Sequence, residues 1–364
     1  MQMRSTRVGI SLATSLLVVA ALAGCASNES SAPADSVSTL SGTLNGAGAS
    51  SQATAQTAWV AGFQQSNPGV TINYDPTGSG AGRKSFVAGA VAFAGSDAAM
   101  TDAELQTANP MCATGTSAID LPAYISPIAV AFNVPGVTSL NLDADTLAKI
   151  FSGAITTWND PAIVALNPKA SLPAATITAV HRSDNSGTTT NFTDYLAKAA
   201  PSNWTNKASG DWPAALGGEG ANGTSGVVDA ISNGSNTIGY VDFSKLGKLS
   251  AVNIKVGTSF VAPSAAGAAQ LVANSQLVEG RSANDFSFSL NRTTSSADEY
   301  PLVLVSYLVV CQDYKDAATA ELVAAYAQYI VSDAGQQAAA EAAGSAPLTG
   351  ELAAKVQAAA LTIK

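Results

Sequence analysis

The chain has 364 residues, enough for two domains at ~150 residues each, and with 47% hydrophobic against 12% charged residues it can bury a sizeable core. Seventeen Lys and Arg against 26 Asp and Glu give a net charge of -9 with no basic block, which speaks against nucleic-acid binding. One His and three Cys, none in a C-x-x-C pair, are too few for a zinc or haem site, and no cofactor is expected.

At the N-terminus, Arg4 and Arg7 precede an uncharged stretch from Val8 to Gly24 that has the length of an export-signal core. It ends in Leu22-Ala23-Gly24-Cys25, which matches a bacterial lipobox, where cleavage precedes a lipidated Cys. Residues 1–24 then form the signal peptide, and Cys25 becomes the anchored N-terminus. The small residues Ala23 and Gly24 suit a peptidase better than they suit a plain transmembrane anchor. Removing residues 1–24 takes away two Arg and leaves 15 basic against 26 acidic residues, a net charge of -11. Residues 25–41 lack hydrophobic periodicity and are rich in Ser, Ala and Asn, as expected of a flexible tether. In an oxidising compartment the two remaining thiols, Cys112 and Cys311, are expected to pair; two separately buried thiols are the other reading.

Three turns of one kind follow in chain order. Gly46-Ala47-Gly48-Ala49-Ser50-Ser51 leads into a helical pattern over Gln52 to Gln65, with Ser50 suited to cap it. The alternating strand Val70 to Tyr74 breaks at Pro76-Thr77-Gly78-Ser79-Gly80-Ala81-Gly82, and a helix follows through Phe86 and Val87. After the strand Ile177 to Val180, Arg182-Ser183-Asp184-Asn185-Ser186-Gly187-Thr188 opens a helical pattern at Phe192, Tyr195 and Leu196. Each such turn leaves unpaired N–H groups at a helix start, where the helix dipole adds about half a positive charge, so anions are favoured. Taken singly, these are ordinary Gly/Ser loops; three of the same chemistry point to an oxyanion site. Net acidity does not forbid it, because charges beyond ~8 Å are screened while donors in contact are not. Arg182 is the candidate cation, with Asp184 placed to orient it; an exposed Arg182–Asp184 ion pair is the alternative.

With these turns in place, the chain resembles the periplasmic phosphate-binding proteins of bacterial phosphate ABC importers, the PstS family. Val91 to Asp97 (VAFAGSD), Leu147 to Asp160, Ile238-Gly239-Tyr240-Val241 and Tyr300-Pro301-Leu302 also fall in that family's order, so the similarity runs from about residue 42 to the C-terminus. The resemblance implies an α/β fold of periplasmic-binding-protein type II, with two lobes joined by crossing strands that act as the hinge. Motif positions put lobe one at 42–125 plus 300–364 and lobe two at 126–299. Carried over residue by residue, the implied phosphate ligands are Ser50, Ser51, Ser79, Asp97, Arg182, Ser186, Gly187 and Thr188, with Ser51 contributing a backbone N–H. The family usually has Thr and then an aromatic residue where Ser50 and Ser51 stand, which removes an apolar cover from that end of the site. Implied partners are inorganic phosphate, a membrane permease and the membrane through the lipid, with the protein acting as a monomer.

An acid among anion donors needs a reason. Phosphate near neutrality carries a proton for Asp97 to accept, whereas sulfate has the same shape and none, leaving two acceptors face to face in a dry cleft. A cap or a structural acceptor is the other reading of Asp97. Readings from other classes are weaker. His181, Asp184 and Ser186 could suggest a hydrolase, but they crowd one turn, whereas a triad's members approach from separate segments. A metal-dependent phosphatase would need ligand clusters that the sequence lacks. Gly218 to Gly223 matches G-x-G-x-x-G without a hydrophobic strand before it, and is expected to be a loop of lobe two. A surface adhesin remains as a non-receptor reading.

Overall fold

The computed structural model describes residues 39–107 and 109–364; Cys25 and the expected export signal and most of the tether lie outside them. Strand β1 (Ser41–Gly48) leads into helix α1 (Ala53–Ser66) and β2 (Gly69–Asp75) into α2 (Ser79–Val87), before β3 (Phe93–Ser96) and a single-turn α3 (Asp102–Gln106). β1 lies parallel to both β2 and β3, as alternating strands and helices require. Next come β4 (Ala118–Asn133), β5 (Leu140–Leu142), α4 (Ala144–Phe151) and α5 (Pro161–Leu166). A second parallel group comprises β6 (Thr178–Arg182), α6 (Gly187–Ala199), β7 (Glu219–Ala221), α7 (Gly223–Asn233) and β8 (Thr237–Asp242), with β6 between β7 and β8. The chain continues through β9 (Ser250–Val256), β10 (Ser259–Val261), α8 (Ala265–Ala273), β11 (Gln276–Leu277) and β12 (Phe288–Ser289) to β13 (Val303–Cys311). Helices α9 (Ala317–Val331), α10 (Asp333–Ala343) and α11 (Gly350–Ala360) finish it.

The two parallel groups are the sheets of two lobes, and β4 and β13 join them in the order β2-β1-β3-β13-β4-β8-β6-β7. Both joining strands read as nearly continuous apolar runs because both faces are covered; every residue of β13 is buried, and every residue of β4 but the last. Proline is tolerated in so central a strand only at irregularities. Pro122 stands where the β4–β13 register shifts, opposite Tyr307, and Pro127 where β4 leaves β13 before Ile128 begins pairing with β8. Among the described residues no helix is long and apolar enough to cross a membrane.

Each lobe has an aromatic centre. Trp59 of α1 is fully buried and donates its indole N–H to Gly335 O at 2.8 Å, pinning α1 to α10. In the second lobe Phe192 stacks on Tyr240 at 4.2 Å and meets Phe151 edge-on at 4.8 Å.

Cys112 and Cys311 form a disulfide, with 5.3 Å between Cα atoms and a sequence separation of 199. A loop of that length, closed before folding, favours the folded state by about 5 kcal/mol in the chain-entropy picture. The Cys112→Ser/Cys311→Ser variant is therefore expected to lose about 2–5 kcal/mol of unfolding free energy in denaturant titration. A loss below about 1 kcal/mol would mean that packing around β13 already supplies the constraint.

Candidate functional site

Parallel strands bring small-residue turns to one place. β1, β3 and β6 all point their carboxyl ends at the cleft between the lobes, where open α/β sheets hold their ligands. The turn after β1 carries Ser50 and Ser51, Asp97 directly follows β3, Ser79 is the first residue of α2, and Arg182 ends β6. Ser186 caps α6, accepting from Thr189 N–H at 3.2 Å, while Gly187 and Thr188 occupy the first two helical positions, whose N–H groups have no partner within the helix. The structure thus brings all eight expected residues together from four turns. Seven are buried, and Ser50 is half-buried at the rim.

Close approach explains the glycines. A Cβ on Gly187 would lie 2.6 Å from both Asp97 Cβ and Ser79 Oγ, so the start of α6 is pressed against the opposite lobe. Gly78 has φ of 99°, and a Cβ there would meet Asp184 Oδ2 at 2.5 Å. The lobes touch through Gly80 N–H to Asn185 O at 3.3 Å, Asn191 Nδ2 to Asp97 O at 2.7 Å and Thr188 Oγ1 to Asp97 Oδ2 at 3.1 Å.

Arg182 is only 3% exposed, which removes the reading of a surface ion pair. Its Nε donates to Asp184 Oδ1 at 2.7 Å and its Nη2 to Asp184 Oδ2, a planar fork that fixes the guanidinium and leaves other donor hydrogens free to point elsewhere. Burial alone would raise the Asp184 pKa, but the Arg182 hydrogen bonds and charge, with Gly223 N–H, hold it below the usual carboxylate value.

Asp97 is not a helix cap. Its Oδ1 accepts from Ser51 Oγ at 2.6 Å and from Ser306 Oγ at 2.6 Å, and its backbone N–H donates to Ser79 Oγ at 3.1 Å. Burial pushes its pKa up, and the hydroxyls of Ser306, Ser51 and Thr188, followed by the charge of Arg182, pull it back part of the way. Ser79 and Ser186 each accept a backbone N–H, which directs their own hydroxyl hydrogens elsewhere. The hydroxyls of Ser79 and Ser186 and the first N–H groups of α6 thus stand beside one buried carboxylate.

Two expectations need correction. Helix α1 starts at Ala53 and Ser50 does not cap it; Ser50 Oγ instead meets Thr224 Oγ1 at 2.9 Å and accepts from Thr224 N–H at 3.1 Å. The Ser51 side chain donates to Asp97, which leaves its backbone N–H as the group that the resemblance assigns to the ligand. The Gly218–Gly223 segment is more than a loop. It contains β7, which pairs with β6, and opens α7, making a fourth strand–turn–helix unit whose Gly223 N–H reaches Asp184 Oδ1 at 3.0 Å. Sequence reasoning also missed Ser306, Gln52, Asn191 and Thr224; of these only Ser306 carried a signal, as the single hydroxyl within the otherwise apolar Val303–Val310 run apart from Tyr307.

His181, Asp184 and Ser186 do not form a relay. The His181 ring stacks on Trp212 at 4.7 Å with Nδ1 against Arg182 O, Asp184 is held by Arg182, and Ser186 takes Thr189 N–H. Among the described residues no group of three or more His, Cys, Asp or Glu side chains is placed to hold a metal ion.

Comparison with known proteins agrees with this architecture. The chain matches the family described as a PBP superfamily domain over residues 33–334. It is 37% identical over 291 residues to the phosphate-binding protein PstS 3 of Mycobacterium leprae, covering 79% of this chain and 78% of the relative. It is 38% identical over 300 residues to PstS 3 of Mycobacterium tuberculosis H37Rv, covering 81% and 80%. Among solved structures, a high-affinity periplasmic phosphate-binding protein bound with phosphate, PfluDING, superposes with a TM-score of 0.69 at 23% identity, covering 87% of this chain and 93% of that one. A phosphate-binding protein from Stenotrophomonas maltophilia gives 0.63 at 20%, with coverage of 87% and 93%; at such identities these two speak for the fold. On the family match and the mycobacterial relatives, the chain belongs to the PstS family of phosphate-binding proteins within the PBP superfamily.

Proposed function

We propose that the protein is a lipid-anchored extracytoplasmic receptor that captures inorganic phosphate between its lobes and delivers it to the membrane permease of an ABC importer. The observation that carries this reading is Asp97, ionisable and buried, standing in a wall of hydroxyl and helix-start N–H donors across from Arg182. In this reading Ser50, Ser51, Ser79, Ser186, Gly187 and Thr188 donate to the phosphate oxygens, Arg182 neutralises charge, and Asp97 accepts the proton that phosphate keeps near neutrality. The mycobacterial relatives, both named as phosphate-binding proteins, support the same ligand.

The export signal and the Leu22–Cys25 lipobox support removal of residues 1–24 and anchoring through Cys25, with residues 25–41 as tether. Lobe one comprises 42–125 and 300–364 and lobe two 126–299; the change of β4 partner at Pro127–Ile128 lies close to that division. The permease follows from the sequence resemblance, and the protein acts as a monomer without a cofactor.

Arsenate, tetrahedral and also protonated near neutrality, is expected to compete with phosphate. A chromogenic phosphomonoester, with or without divalent metal, is expected to show no turnover. Competition without hydrolysis supports a receptor, while hydrolysis above background would revive the Ser186 reading.

A further inference from the structure

We propose that Gln52 and Ser306 set the anion selectivity of the cleft by holding Asp97 as a hydrogen-bond acceptor, an inference that rests on the phosphate reading. A chain of hydrogen bonds with one sense runs into the carboxylate from the core of the first lobe. Tyr326 OH donates to Gln56 Oε1 at 2.8 Å, Gln56 Nε2 to Gln52 Oε1 at 3.0 Å, Gln52 Nε2 to Ser306 Oγ at 2.7 Å, and Ser306 Oγ to Asp97 Oδ1 at 2.6 Å. All four residues upstream of Asp97 are at most 1% exposed.

The sense of the chain is imposed by the backbone. Gln52 Nε2 also lies 3.0 Å from Tyr307 O, and a carbonyl can only accept, so the amide nitrogen must face that side. Ser306 Oγ then accepts from Gln52, and its single hydrogen is directed at Asp97. Strand register puts Ser306 there, since Tyr307 is paired with Ser96 and the residue before it therefore flanks Asp97. Gly95 leaves room for the amide, because a Cβ would meet Gln52 Oε1 at 2.6 Å. With Ser51, Ser306 occupies Oδ1 with two O–H donors at lengths usual for charge-assisted bonds. Oδ2 takes Thr188 and keeps acceptor capacity for a ligand hydroxyl.

The consequence is a choice between two states of one carboxyl. Ionised, Asp97 accepts from protonated phosphate and repels sulfate. Protonated, it would itself donate and accommodate sulfate. Burial favours the protonated state, and donors that cannot reverse oppose it. Other groups acting electrostatically near Asp97 are Arg182 on β6, Tyr74 on β2 and Asp242 at the end of β8. Tyr74 is pushed further up by burial and then by Asp97, and stays neutral. Asp242, raised to about 6 chiefly by burial, loses its charge on acidification; that favours ionised Asp97 and so cannot produce a gain in sulfate binding.

The test is calorimetric titration of phosphate-stripped protein with phosphate and with sulfate from about pH 8 down to about pH 5. In Ser306→Ala the phosphate-to-sulfate affinity ratio at neutral pH is expected to fall at least about tenfold, and sulfate binding to appear about one pH unit higher than in the unmodified protein. Gln52→Met, which frees the Ser306 hydroxyl to turn away, is expected to move both quantities in the same direction and guards against a folding failure of the first variant. If both affinities fall together, with ratio and pH profile unchanged, the two residues are merely structural and the proposal is overturned. Unmodified protein that takes up no phosphate would contradict the functional reading instead, and is distinguished by that control.

Discussion

Asp97→Asn is expected to narrow the preference for phosphate over sulfate by about 100-fold or more, out of the roughly 10⁴ to 10⁵ by which sites built for a ligand hydroxyl reject analogues lacking it. The orientation of the new amide is decided by its neighbours. Ser51 and Ser306 both present hydrogens to the Oδ1 position, so the amide oxygen must settle there. The NH₂ group then replaces Oδ2, facing Thr188, whose hydroxyl can turn to accept, and the ligand. A donor now stands where an acceptor stood, and sulfate no longer leaves two oxygens opposed. Phosphate should weaken less than sulfate gains, because its hydroxyl can turn to another acceptor. Competition between the two anions at fixed pH reads the ratio directly; an unchanged ratio would remove Asp97 from discrimination.

Gly187→Ala is expected to weaken phosphate binding by about tenfold to a hundredfold, the effect of roughly 1–3 kcal/mol of overpacking expressed as affinity. The added methyl would sit 2.6 Å from Asp97 Cβ and Ser79 Oγ and 3.0 Å from Asp97 C, and two of these three neighbours are stiff parts of the chain. The start of α6 must then back away, and it takes with it the helix-start N–H groups and the Thr188 hydroxyl. Since the clash arises across the cleft, the melting temperature without ligand should hardly change. Gly217→Ala is the matched control, because nothing lies within 4 Å of a Cβ there. Equal affinities for the two variants would show that the lobes need not approach this closely to hold the ligand.

How much of the site could be read from residues alone follows from how local each feature is. The turns at Ser50, Ser79 and Ser186 are written in contiguous small residues, and Arg182 and Asp184 lie two apart, so both were legible. Ser306 reaches Asp97 only through the register of β13 against β3, and a one-residue slip would turn it to the other face. Glu219–Ala221 shows no apolar alternation because it is a three-residue strand with no buried position, and its role comes from pairing with β6. Ser50 looked like a cap because hydroxyls often are caps; its contact with Thr224 requires the other lobe to arrive. Chemistry that belongs to one turn is visible in sequence, whereas chemistry assembled between lobes is visible only once strand order is known.

In the phosphate reading, uncharged donors, one guanidinium and one proton-sensing acid enclose a tetrahedral anion. Titration calorimetry of the phosphate-stripped protein, first with inorganic phosphate and then with sulfate at neutral pH, tests it most directly. Saturable one-to-one uptake of phosphate is expected, with no measurable heat from sulfate at the same concentration. Absence of phosphate uptake, or equal uptake of both anions, would contradict it.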